Sequence, residues 1–148
     1  MTALFHVRHA EKSDAGAIAE LMIGLGYSPD AAEILRRWKM VESTTFDKVL
    51  IAEGGKTPLG LLALHVAPLL FYPNPMARIT TLVVAEAARR SGVGSALVER
   101  AMSIASNEGC ETIELTSACD RKDAHTFYET VGFQKSSIRM SRKVPQDL

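Results

Sequence analysis

The chain has 148 residues, 17 basic and 17 acidic side chains, and 47% hydrophobic residues. That length and apolar content suit one domain, 1–148, with a real core, while zero net charge without runs of like sign offers nothing to a nucleic acid. Its two cysteines fit neither a disulfide framework nor a zinc pattern and no apolar run reaches membrane length, so we expect a cytoplasmic protein without metal.

Residues 4–9 alternate enough for a short first strand. Ser13 or Asp14 then caps a helix whose apolar residues Ile18, Leu21, Met22 and Leu25 recur at helical spacing. Gly24-Leu25-Gly26-Tyr27 closes it, and Ser28-Pro29-Asp30 opens a second helix with proline at an early position. Ile34, Leu35, Trp38 and Val41 share one side of that helix, and Trp38 reads as core packing ahead of a ligand wall. A strand over 48–53 meets the Gly54-Gly55 turn and returns over 59–66 as its hairpin partner. Pro68, Pro73 and Pro75 make 67–76 a stiff, apolar loop, suited to an acceptor pocket or a dimer interface.

Residues 79–84 form the central strand, and Arg89-Arg90-Ser91-Gly92-Val93-Gly94-Ser95 follows it directly. A helix over 94–107 then buries Val93, Leu97, Ala101, Ile104 and Ala105, and Gly109 ends it. Helix-start N–H groups lack intrahelical partners and favour negative charge, and glycine lets a bulky anion approach the backbone. The turn is therefore built like a phosphate or pyrophosphate cradle. It is neither a P-loop, since no Lys-Ser or Lys-Thr follows the glycines, nor a dinucleotide fingerprint, whose third glycine is missing. Residues 112–116 are a further strand with Cys110 close by, 122–131 a short helix, and 133–143 a last strand or hairpin.

A second segment, Ala124-His125-Thr126-Phe127-Tyr128-Glu129-Thr130-Val131-Gly132-Phe133, lies about thirty residues beyond the glycine turn. Together, Arg-x-x-Gly-x-Gly and Ala-x-x-Phe-Tyr-x-x-x-Gly-Phe resemble the two signature segments of the GNAT superfamily of acyl-CoA-dependent N-acetyltransferases, over roughly 49–133. The resemblance implies an α+β fold: a mixed, mostly antiparallel sheet, helices on its flanks, and a V-shaped splay between two parallel strands, here 79–84 and 112–116. It implies acetyl-CoA as co-substrate, its pantetheine arm adding to the strand at Leu82, Val83 and Val84 through backbone hydrogen bonds. The pyrophosphate would sit on the amides of Arg89, Arg90, Ser91, Gly92, Val93, Gly94 and Ser95, with the Ser95 hydroxyl and Arg89 adding to the hold. Tyr128 would protonate the departing thiolate as a general acid, and Gly132 would cap its helix.

Two positions depart from the commonest pattern of that family. Arg121 stands where an asparagine often contacts the cofactor, and it has the reach for a CoA phosphate or pantetheine carbonyl. The segment Ala77-Arg78-Ile79-Thr80-Thr81 lacks the strand glutamate that many relatives use as base. An aliphatic amine is only about one part in a thousand neutral at pH 7, so the proton must go elsewhere: to water, or to His65, Glu42 or Asp47. His65 reads first as an ordinary strand histidine satisfied by a neighbour, His125 as a helix-face residue, and the base stays unassigned. The leading reading is acetyl transfer to a primary amine of a small molecule or protein by direct attack in a ternary complex, since no Cys–His nucleophile is evident. A non-catalytic acyl-CoA-binding regulatory domain is the alternative, and a homodimer is the assembly the resemblance suggests.

Overall fold

The computed structural model describes residues 4–117 and 122–147. Contacts gather into two compact units, Met1–Leu115 and Thr116–Leu148. The first is built on a five-stranded sheet in sequence order: β1 (His6–His9), β2 (Asp47–Gly54), β3 (Thr57–Ala67), β4 (Met76–Val84) and β5 (Ile113–Leu115). Neighbouring pairs are antiparallel up to β4, and β4–β5 is parallel.

Helices lie on both faces of this sheet, which is why β2 and β3 read as nearly continuous apolar runs. Two helices, α1 (Ala15–Met22) and α2 (Ala31–Glu42), put Ile18, Leu21 and Ile34 into one cluster with Leu61 of β3 and Val83 of β4. The third, α3 (Val93–Asn107), covers the other face. Adjacent strand residues point to opposite faces, and a side chain at Gly60, next to Leu61, would lie 2.9 Å from both Val93 Cγ1 and Leu97 Cδ1 of α3. The α3 stripe holds Val93, Leu97, Val98, Ala101 and Ala105 buried, with Ile104 half-buried at its margin. Trp38 packs against the cluster on the α1–α2 side, as core rather than as a ligand wall.

Helix boundaries follow local chemistry. Asp30 is the N-cap of α2 and accepts from the Glu33 N–H at 2.8 Å, so Pro29 stands outside the helix instead of in its first turn. Asp14 is the N-cap residue of α1 but makes no side-chain capping bond, because its carboxylate is taken by the Arg8 guanidinium and the Glu11 N–H. Gly109, at φ +85, closes α3 as expected. Its N–H bonds to Ser106 O and that of Cys110 to Ala105 O, the paired reach-back that a left-handed glycine permits.

The second unit contains α4 (Lys122–Thr130). Gly132, at φ +99, ends it with the same pattern, Gly132 N–H to Glu129 O and Phe133 N–H to Tyr128 O. The expected strand over 133–143 does not form. A strand exists only by pairing, and among the described residues this exposed stretch, rich in Lys, Ser and Arg, has no ladder. Among the described residues no helix is long and apolar enough to cross a membrane.

Candidate active site

The site begins where the sheet divides. Among the described residues the β4–β5 ladder runs over Ala77↔Ile113, Arg78↔Glu114 and Ile79↔Leu115, while β4 continues to Val84 paired with β3. A bulge sits at the division: Ala63 opposes Thr81 but Leu64 opposes Ile79, leaving Thr80 as the extra residue. An inserted residue bends its strand and increases twist locally, and this one lies just past the last rung with β5. Among the described residues the edge of 80–84 away from β3 has no strand partner, and such an edge suits addition of an extended, amide-bearing chain. Leu82 and Val84 are half-buried here and Val83 is buried.

Beyond Val84 the chain makes a short 3-10 turn, Glu86–Ala88, and enters α3 through the glycine turn. Arg89 is extended, at φ −64 and ψ 146, and Arg90 takes the left-handed conformation at φ +64. Gly92, at φ +88, is the N-cap of α3, and no side chain caps that end. The Val93, Gly94 and Ser95 N–H groups have no acceptor within the helix, the first intrahelical bond being Ala96 N–H to Gly92 O at 3.0 Å. Ser95 is exposed at the helix mouth, whereas the Ser91 hydroxyl donates back to Ala88 O and closes the turn. Val93 directs its side chain into the core, leaving only its backbone at the start of α3.

A cavity of about 460 Å³ adjoins this turn, walled by Leu21, Ile23 and Gly24, by Thr57 and Pro58, and by the Val83–Glu86 stretch with Arg89. Glu20 and Glu86 also face it, two carboxylates that the sequence reading did not single out. Finding them needed the packing of the α1 end against β4, which no local pattern encodes.

Residues 82–84 and 89–95 thus come together at one end of β4, within one unit. Tyr128 belongs to the second unit and is described there. It is half-buried, its ring edge-on to Phe127 at 5.6 Å and to Phe133 at 6.0 Å between centroids. Arg121 and Cys119 lie outside the described residues. At the other end of β4, Glu111 holds the proline loop with both oxygens, accepting from Tyr72 Oη at 2.5 Å and Asn74 Nδ2 at 2.6 Å. That hydrogen bond to Glu111 raises the Tyr72 phenol above its ordinary value. Leu70 and Phe71 stand fully out from the loop. Cys110 is a half-buried free thiol, pushed up by burial and then by the Glu108 carboxylate. His65 has the neighbour expected of a strand histidine, Asp47 Oδ1 lying 2.9 Å from its Nδ1, and Phe46 stands edge-on to its ring.

Comparison with known proteins agrees with this fold. A model of the acetyltransferase (GNAT) family matches residues 16–133. An aminoalkylphosphonate N-acetyltransferase of Salmonella typhimurium is 33% identical over 84 residues, a stretch covering 57% of this chain and 54% of that protein, so the match spans about half the relative's length. The crystal structure of a transcriptional regulator from Bacillus halodurans superposes with a TM-score of 0.86 at 27% identity, covering 95% of this chain and 100% of the other. Glucosamine-6-phosphate N-acetyltransferase from Arabidopsis thaliana shares the fold with a TM-score of 0.82 at 23% identity, over 96% and 99% of the two chains.

Proposed function

This chain belongs to the GNAT acetyltransferase family, and from that premise we infer that it is an N-acetyltransferase moving acetyl from acetyl-CoA, the family's co-substrate, to a primary amine. One observation carries the reading: β4 runs past its last rung with β5 and leads straight to the uncapped start of α3. An open strand edge suits the pantetheine amides, and unpartnered N–H groups at a helix start suit a pyrophosphate. The residues therefore fit the cofactor. Leu82, Val83 and Val84 would hold the arm by backbone bonds, and the amides of Arg89, Arg90, Ser91, Gly92, Val93, Gly94 and Ser95 would hold the phosphates, with the Arg89 guanidinium adding charge.

Bound there, acetyl-CoA supplies an activated thioester; the chain's part is to orient it and to manage protons. We assign Tyr128 to protonation of the departing sulfur, on its place in the Ala-x-x-Phe-Tyr-x-x-x-Gly-Phe segment, and Arg121 to a CoA phosphate or pantetheine carbonyl. The acceptor we favour is a small primary amine, with aminoalkylphosphonates first to be tried because the Salmonella relative is named for them. The exposed Leu70 and Phe71 loop is assigned to the acceptor side or to a homodimer contact, and the working compartment to the cytoplasm.

Calorimetric titration with acetyl-CoA, with ATP and NAD as controls, tests the cofactor. Saturable binding of acetyl-CoA alone supports the reading, and its absence in folded protein removes it. Release of free thiol in the presence of 2-aminoethylphosphonate or other primary amines then tests the transfer.

A further inference from the structure

Four charged or titratable side chains stand in register across four strands. Asp47 on β2 opposes His65 on β3, His65 opposes Arg78 on β4, and Arg78 opposes Glu114 on β5. Directly opposed residues present their side chains on the same face, so the four make one row. Asp47 Oδ1 lies 2.9 Å from His65 Nδ1, and Glu114 Oε1 lies 3.1 Å from Arg78 Nε. By the two-residue period of a strand, the row shares its face with Val49 and Leu61, which pack towards α1 and α2. It lies past that cluster, where the side chains keep between 28% and 45% of their surface.

Its position relative to the split is what matters. Arg78–Glu114 is the rung before the last, Ile79–Leu115, at which β4 and β5 part. His65 is one strand spacing, about 4.8 Å, from β4. A carboxylate only accepts, so Asp47 holds the proton on Nδ1 and leaves the lone pair on Nε2. An imidazole fixed in this way presents a lone pair to a bound proton donor.

Among the described residues, α2 on the same face carries Glu33, which is paired with Arg36 and Arg37, and the exposed Lys39 and Glu42. Besides Arg78, β4 carries no titratable side chain, and the Glu114 of β5 is engaged with Arg78. The one titratable group of α1, Glu20, faces the cavity at the other end of β4, as does Glu86 of the 3-10 turn. On β2, Lys48 alternates to the opposite face, and Glu53 is bound to Arg8. Glu99 and Arg100 belong to α3, which covers the opposite face.

We propose that His65 is the general base of acetyl transfer and Asp47 its positioning residue, an assignment that rests on the N-acetyltransferase reading above. His65 Nε2, directly or through one water, takes a proton from the acceptor ammonium. The freed nitrogen lone pair forms the C–N bond at the thioester carbonyl carbon. The C–S bond breaks, and its electron pair leaves on sulfur. Of the two protons the ammonium loses, the one held by His65 passes to solvent, and the one lost as the amide forms balances the proton taken up by the thiolate. Ammonium and thioester thus give amide, thiol and one proton.

The test is His65→Gln and Asp47→Asn beside wild type, followed by thiol release from acetyl-CoA with 2-aminoethylphosphonate between pH 6 and 10. His65→Gln should bind acetyl-CoA within about twofold of wild type by calorimetry and lose about 10²–10³-fold in kcat/KM at pH 7. That loss should shrink towards pH 10, where about half of the amine is itself neutral, a recovery that a merely structural role would not produce. Asp47→Asn should lose about tenfold and shift the pH profile while leaving cofactor affinity unchanged. A His65→Gln profile parallel to wild type overturns the assignment and leaves the acetyltransferase reading standing. A wild type that binds acetyl-CoA but acetylates no amine overturns that reading, and the base with it. Should the glutamine variant misfold, imidazole ¹⁵N shifts of active wild type decide: a protonated Nδ1 with bare Nε2 supports the proposal, and the reverse tautomer overturns it.

Discussion

Arg90 at φ +64 and Gly92 at φ +88 give the glycine turn two left-handed residues within three positions. Only glycine takes that conformation freely, so Gly92→Ala should cost about 1–2 kcal/mol in urea unfolding and weaken acetyl-CoA binding in calorimetry by disturbing the start of α3. No atom lies within 4 Å of a Cβ built at Gly92, so the loss would come from backbone strain and not from crowding. Tyr128→Phe separates the two functional readings. If the phenol protonates the leaving sulfur, thiol release should fall about 10²-fold or more with cofactor affinity unchanged, while a non-catalytic acyl-CoA sensor would be indifferent. The turn was legible in the sequence because a left-handed cap demands glycine. His65 and Asp47 were legible only as separate candidates. Their pairing depends on the β2–β3 register, and its relation to the split depends on a bulge at Thr80 that leaves no mark in composition.

Gly60 illustrates the same limit for whole elements. It reads as a plain interruption in an apolar strand, yet its missing side chain is what lets the first turn of α3 lie on the sheet. In Gly60→Ala the new Cβ would meet Val93 Cγ1 and Leu97 Cδ1 at 2.9 Å and the Val83 carbonyl at 3.2 Å. The two side chains have some freedom, but the carbonyl is fixed in β4. Overpacking of this kind costs about 1–3 kcal/mol. Because Val93 is the first residue of α3, whose start is the proposed phosphate site, the denaturation midpoint and acetyl-CoA affinity should fall together. An equal-sized change remote from α3 should lower only the midpoint. Helices and central strands were readable because period and caps are local: Gly109 and Gly132 end α3 and α4 where glycine invites a left-handed turn. The stretch 133–143, expected as a last strand or hairpin, forms no ladder among the described residues, because pairing is not a local property. Pro29 was misplaced by one boundary because Asp30, as N-cap, holds the Glu33 N–H and starts the helix after itself.

For the molecule as a whole, the edge of the sheet rests on one cation. Arg8 on β1 donates to both oxygens of Asp14, at 2.8 Å each, and to Glu53 of β2 at 2.9 and 3.1 Å. It thereby fastens the edge strand to its neighbour and to the turn that starts α1. The Arg8 hydrogen bonds hold the carboxyls of Asp14 and Glu53 below their ordinary values of 3.8 and 4.5. A carboxyl with a depressed folded pKa binds fewer protons folded than unfolded, so stability rises with pH through that window. The contribution is therefore complete above the ordinary carboxylate values and fades as pH falls through the lower folded ones. His6 Nε2, 3.1 Å from Glu53 Oε1, adds a second cation to the same carboxylate whenever it is protonated. Wild type should accordingly be more stable than Arg8→Ala at pH 7 in urea unfolding, and the difference should narrow below about pH 4.5 as protonation removes the partners of the guanidinium. A difference that stayed constant down to pH 2.5 would mean that Arg8 acts by packing its stem along the sheet edge, and the ionic account of this corner would fail.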